Sequence, residues 1–162
     1  MKTIPLTQGK VTLVDDEDYP HLMDILKLDE TNLTKNEETG QWEYKEDLVF
    51  EGAIEIAEDL EYVRFSLGIS ATRYIWAKAG TGIEAGGGIE AGGGIEAGWG
   101  IKAGGGIKAG WGIITFYRGG LVAKWVIALR IAVGFNLDAK EVQTVKAELR
   151  NDTPILLGKL EE

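Results

Sequence analysis

The chain has 162 residues, 44% of them apolar, no cysteine, one histidine and a formal net charge of −9. That length bounds it to one compact domain, or one domain plus a small module. The lack of cysteine excludes disulfides and thiol chemistry. No apolar run approaches the ~18 residues of a membrane span, and Met1-Lys2-Thr3-Ile4-Pro5 opens no secretory signal, so the expectation is a cytoplasmic protein without membrane contact.

The charge is uneven. Residues 1–60 carry 16 Asp or Glu against 5 Lys, whereas residues 61–162 carry 10 acidic against 12 basic residues. Such a surface repels nucleic acid and attracts a basic groove, including one built to hold nucleic acid.

In chain order, residues 1–45 read as a small acidic module of mixed α and β structure. Ile4-Pro5-Leu6 and Val11-Thr12-Leu13-Val14 flank a Gln8-Gly9-Lys10 turn, which predicts a short hairpin. Asp15-Asp16-Glu17-Asp18 and Pro20 then precede Tyr19, Leu22, Ile25 and Leu26, whose spacing predicts a short amphipathic helix with acidic residues at its start. Glu37-Glu38-Thr39-Gly40-Gln41 reads as a turn before a strand at Trp42 and Tyr44.

From Ile83 a six-residue unit repeats without a slip: Ile-Glu-Ala-Gly-Gly-Gly twice, Ile-Glu-Ala-Gly-Trp-Gly, Ile-Lys-Ala-Gly-Gly-Gly and Ile-Lys-Ala-Gly-Trp-Gly. Fifteen glycines lie between Gly80 and Gly112, and apolar residues alternate with charged ones. Period two means extended chain with one apolar face. Glycine weakens an isolated strand, so stacking must hold the repeat, in a quasi-one-dimensional architecture. The sixfold spacing continues outward through Leu48, Ile54 and Leu60, through Ile69 and Ile75, and through Leu121, Ile127 and Val133. The expectation is a mainly β protein: a parallel β-solenoid over 46–137, with loops at its corners.

Eighteen residues per coil would stack Glu84 on Lys102 and Glu90 on Lys108, whereas twelve would set Glu84 against Glu96, a destabilising like-charge pair. A long antiparallel hairpin centred near Trp99 meets the charge criterion equally well. Residues 138–162 read as a cap over the solenoid end. Asp138 and Glu141 have capping-box spacing for a helix, but alternation at Val145, Ala147 and Leu149, with a turn at Asn151-Asp152-Thr153-Pro154, favours a hairpin.

The hexads resemble the parallel β-helix of hexapeptide-repeat proteins, strongly over 83–113 and loosely over 48–137. That resemblance implies inward Ile83, Ile89, Ile95, Ile101, Ile107 and Ile113. It also implies a small inward residue four positions later, which is met by Gly87, Gly93 and Gly105 but not by Trp99 and Trp111. The repeat is also similar to bactofilin-like filament proteins, which implies homo-oligomers through the solenoid ends. Residues 1–22, through Met1 to Lys10 and Val14-Asp15-Asp16-Glu17-Asp18-Tyr19, resemble the opening of phage HNH-type homing endonucleases. The paired histidines and Asn of an HNH site do not follow, so the resemblance implies a phage or mobile-element origin and no nuclease activity.

Other chemistry is sparse. His21 stands outside the repeat with no partner motif, which argues against catalysis. The Asp15–Asp18 run lacks the alternating oxygen spacing of a calcium loop, and the glycines lack the Gly-Lys-Ser/Thr of a phosphate loop, so neither metal nor cofactor is expected. Trp99 and Trp111 are candidates for stacking a sugar or base. The function that follows is a non-enzymatic inhibitor of a host defence protein, such as a CRISPR effector nuclease, without direct nucleic acid binding. Its contacts would be Asp15, Asp16, Glu17, Asp18, Glu37, Glu38, Glu55, Glu58 and Asp59. The alternatives are a self-assembling solenoid and a carbohydrate-binding solenoid.

Overall fold

A computed structural model describes residues 24–116, 120–135 and 144–161, together with the backbone of Lys2–Thr3, Lys10–Val11 and Leu13–Val14. The chain winds into a parallel β-solenoid of about five turns. The strands are short, most of them three to five residues, and those of the coil pair in parallel with the equivalent strand of the next coil.

Three ladders form three faces. The first runs through Trp42–Tyr44, Glu61–Phe65, Thr81–Ala85, Ile101–Ala103 and the start of Leu121–Ile127. The second runs through Leu48–Phe50, Ile69–Ala71, Ile89–Ala91, Gly106–Ala109 and the end of Leu121–Ile127. The third runs through Ile25–Leu28, Ala53–Ile56, Ile75–Ala77, Ile95–Ala97, Gly112–Phe116, Arg130–Phe135 and Ile155–Leu157. Because Leu121–Ile127 spans a corner as one strand, the first two ladders merge into one twelve-stranded sheet.

The period-two pattern explains the core. Each Ile of the repeat points inward and is at most 1% exposed, and the Ala two residues later is buried beside it. Three aliphatic columns result, such as Ile54, Ile75, Ile95, Ile113 and Ile131 on the third face. The antiparallel alternative centred near Trp99 does not occur. Within the repeat the coil is eighteen residues long: Ile83 pairs with Ile101, Ile89 with Ile107 and Ile95 with Ile113. Earlier coils are longer, since Ile54 pairs with Ile75 and Ile75 with Ile95.

Glycine at the fourth hexad position is a steric requirement. A Cβ added at Gly86, Gly92, Gly98, Gly104 or Gly110 would lie 2.0–2.4 Å from a carbonyl oxygen of the coil beneath. The fifth position is looser, with 2.9–3.2 Å at Gly87, Gly93 and Gly105, and its outward direction admits Trp99 and Trp111. This corrects the small inward residue implied there: the fifth position lies at a corner and points out.

Four other expectations change. The coil begins before residue 46, because Ile25–Leu28 pairs in parallel with Ala53–Ile56. Ile25 and Leu26, placed in a helix by their spacing, lie in that strand, while residues 15–23 fall outside the described residues. Past the repeat the inward column runs Leu121, Val126, Ile131, so the spacing is five rather than six, and Val126 rather than Ile127 faces the core. Among the described residues of the tail neither the hairpin nor the capping helix is found: Thr144–Leu149 and Ile155–Leu157 add parallel strands to the coil, and residues 138–143 lie outside the described residues.

The turn at Glu37–Thr39 joins Thr34–Lys35 to Trp42–Tyr44 in an antiparallel hairpin at the N-terminal end, with Gly40 at φ +73°. Lys2–Thr3 pairs antiparallel with Leu13–Val14, and Lys10–Val11 pairs antiparallel with the first strand of the third face. Most of the 4–12 turn lies outside the described residues.

Candidate functional site

Two surfaces stand out. The first is acidic and lies on the earliest coils. The corner Asp29–Glu30 precedes the corner Glu58–Asp59 by one coil, because the Ala57 amide donates to the Leu28 carbonyl at 2.8 Å. Glu58 and Asp59 are exposed, and Asp59 sits at φ +58°, which holds its carboxylate on a tight corner. Asp29 accepts from the Thr31 amide at 2.8 Å and from the Thr31 hydroxyl at 2.5 Å. Those two donors, hydroxyl first, hold its carboxyl below the usual carboxylate range.

Glu37 and Glu38 are exposed in the hairpin turn. Glu55 differs: its side chain is 13% exposed, 3.8 Å from Lys78, and hydrogen-bonded to Tyr74. It is thus an internal partner and presents little charge outward. Asp15, Asp16, Glu17, Asp18 and His21 lie outside the described residues. The site that the structure assembles therefore adds Asp29 and Glu30 to Glu58 and Asp59. Their adjacency was hidden in the sequence, because 29 and 58 come together only through the length of one coil.

The charge is graded along the axis. Residues 24–61 carry 13 acidic residues against Lys27, Lys35 and Lys45; residues 62–100 carry three of each sign; residues 101–162 carry nine basic against six acidic. On the outer row of the first face Glu43, Arg64, Glu84 and Lys102 alternate. The pairing of Glu90 with Lys108 closes at 2.7 Å, whereas Lys102 turns to the Tyr62 ring at 4.5 Å.

The second surface is a trough of about 900 Å³ on the third face and the corner before it. Gly93 stacks between Arg73 and Trp111, since the Gly93 amide donates to the Arg73 carbonyl and the Trp111 amide to the Gly93 carbonyl. The next column, by register, is Tyr74, Gly94, Gly112, Arg130, and the one after is Trp76, Glu96, Ile114. Glycines make the floor while rings and arginines make the walls. Trp111 is 71% exposed and Trp76 38%. Lys78 lies over the Trp76 ring at 5.6 Å. Burial pushes the Glu96 carboxyl up; burial, then Glu55, pushes the Tyr74 hydroxyl up.

Trp99 is not part of this trough. It packs edge-on against Tyr62, ring centroids 5.8 Å apart, at the corner leading into the first face. Trp76 lines the trough instead. Its signal in the sequence was Ile75-Trp76-Ala77, which matches Ile-X-Ala of the repeat with an indole in the outward place.

Among the described residues no cluster of three or more His, Asp or Glu suits a metal ion, and no helix is long and apolar enough to cross a membrane. The protein is thus a parallel β-solenoid with an acidic end and an aromatic trough. The chain matches no protein-family profile, no curated protein and no solved structure.

Proposed function

We propose that the protein is a non-enzymatic inhibitor that docks its acidic early coils into a basic, nucleic-acid-holding groove of a host defence protein in the cytoplasm, a CRISPR effector nuclease being the concrete case. The axial charge gradient carries this reading: 13 acidic residues against three Lys fall on the first coils, where exposed corner carboxylates project from a stacked backbone. Rigid, like-signed charge at one end steers association with a positive groove and competes with its nucleic acid. The phage-like opening segment fits the same setting.

The test is a pull-down from a bacterial lysate rich in defence systems, at low and moderate salt, with a Glu30→Lys/Glu37→Lys/Glu38→Lys/Glu58→Lys variant alongside. The expected result is one nucleic-acid-binding protein, weakened by salt and lost with the variant. Equal capture by the variant at low salt rejects the proposal.

The same gradient favours a second reading, head-to-tail self-assembly. The net-positive C-terminal coils end in Lys159–Leu160 and Ile155–Leu157, and among the described residues no further strand covers these edges. Light scattering separates the two: growth with concentration that salt suppresses supports assembly, and a fixed small species supports the inhibitor.

A further inference from the structure

We propose that the trough walled by Trp76 and Trp111 is a glycan-binding site that takes a short chain of pyranose rings. Its shape comes from the repeat. In the corner column only Gly93 separates Arg73 from Trp111, so their backbones stand two strand spacings apart, about 10 Å, with no side chain between them. One strand layer is therefore left open to a flat ring entering edge-on. The slot continues over Gly94 and Gly112 toward Arg130.

The walls suit a sugar on both of its characters. An indole presents a negative face to the polarised C–H groups of a pyranose, and Trp111 is exposed enough to do so without rearrangement. The hydroxyls need donors and acceptors at the ring edge. Arg73 and Arg130 supply donors, and among the described residues neither guanidinium is engaged in an ion pair. Glu96, rising from the floor between the walls, supplies an acceptor.

Other occupants fit less well. An apolar side chain of a protein partner would bury Arg73, Arg130 and Glu96 without giving them hydrogen bonds, which disfavours it. A nucleic acid strand would meet Glu96 in the floor and a chain of net charge −9.

The experiment is a glycan array of neutral and acidic oligosaccharides, followed by tryptophan-fluorescence titration of the bound structures and of chitohexaose, cellohexaose and maltohexaose. The variants are Trp111→Ala, Trp76→Ala and Trp99→Phe, each checked for an unchanged melting temperature. We expect saturable quenching by at least one oligosaccharide. Affinity should fall about tenfold or more in Trp111→Ala and Trp76→Ala, and stay unchanged in Trp99→Phe and in the fourfold lysine variant of the acidic end. An empty array with no quenching overturns the proposal. So does affinity that survives the Trp111→Ala and Trp76→Ala changes together, or a Trp111→Ala effect confined to self-association.

Discussion

The hexad coils and the coils that flank them share one core and differ in their corners. Both bury an aliphatic column, as when Ile54, Ile75, Ile95, Ile113 and Ile131 follow one another on the third face. In the repeat, however, each side of the coil holds one Ile and one Ala, and the corners are glycine apart from Trp99 and Trp111. In the flank before the repeat the corners carry Ser66, Thr72 and Lys78, the coils lengthen to twenty residues or more, and a larger side chain, Phe65, fills the interior. Aliphatic spacing thus makes the solenoid, while corner chemistry sets how tightly each turn closes.

The strongest way to break this comparison is to place a methyl at a repeat corner. Gly110→Ala puts a Cβ against the Gly92 carbonyl, whose oxygen lies 2.0 Å from that position, so the coil must open. We expect a loss of about 3 kcal/mol or more, read as the urea midpoint. In the hairpin, Gly40 has nothing within 4 Å of its Cβ direction, so Gly40→Ala meets only the strain of its positive φ, about 1 kcal/mol. Equal losses would show that close approach does not govern the repeat.

Next in size is the shared column. Ile95→Ala in the repeat and Ile75→Ala one coil earlier should each cost about 3 kcal/mol, because both are at most 1% exposed. A much smaller loss at Ile95 would mean that the glycine coil relaxes to fill the cavity.

A buried hydroxyl does in a flanking corner what glycine does in the repeat. Thr81 is fully buried; it donates to the Ala57 carbonyl at 2.8 Å and accepts from the Leu60 amide at 3.0 Å. Thr81→Val should cost about 2 kcal/mol by stranding both groups, whereas Thr81→Ser should cost less, by thermal melting.

The pH response should separate the regions by sign. Asp29 in the first corner has a lowered pKa, so its contribution is present above the ordinary carboxylate range and is lost as pH falls through the folded value. Glu96 in the repeat has a raised pKa. The fold holds its proton more tightly than the unfolded chain does, so stability from this group declines as pH rises through that range. Melting curves between pH ~3 and ~6 should therefore shift in opposite directions for Asp29→Asn and Glu96→Gln relative to the parent. Smallest of all is the exposed Glu90–Lys108 pair: Lys108→Ala should change stability by under ~1 kcal/mol.

The repeat was the most legible part of the chain. Exact period two and period six place Ile83 through Ile113 in the core, and charge signs favoured stacking Glu84 on Lys102 and Glu90 on Lys108 over a twelve-residue coil, while leaving an antiparallel hairpin open. Legibility fell where coils change length. Val126 displaced Ile127 because one strand crosses a corner there, and Ile25–Leu28 joined the third face across a 28-residue coil that no periodicity announces. The acidic run was visible as composition, but the pairing of the Asp29 and Glu58 corners was not.

What the amino-acid order determined by itself is the local conformation: extended chain, one aliphatic face, and a six-residue spacing of inward aliphatic residues. These follow from side-chain alternation, which a single repeat unit carries, whereas the eighteen-residue coil was decided by the stacking of one coil on the next. The tertiary structure alone decided which glycines are obligatory, that Trp99 and Trp111 turn outward at different corners, and that Trp76, Glu96 and Arg130 share one trough with Trp111. Those features depend on carbonyls and side chains contributed by three or four successive coils, and residues so far apart in the chain meet only once the stack is built.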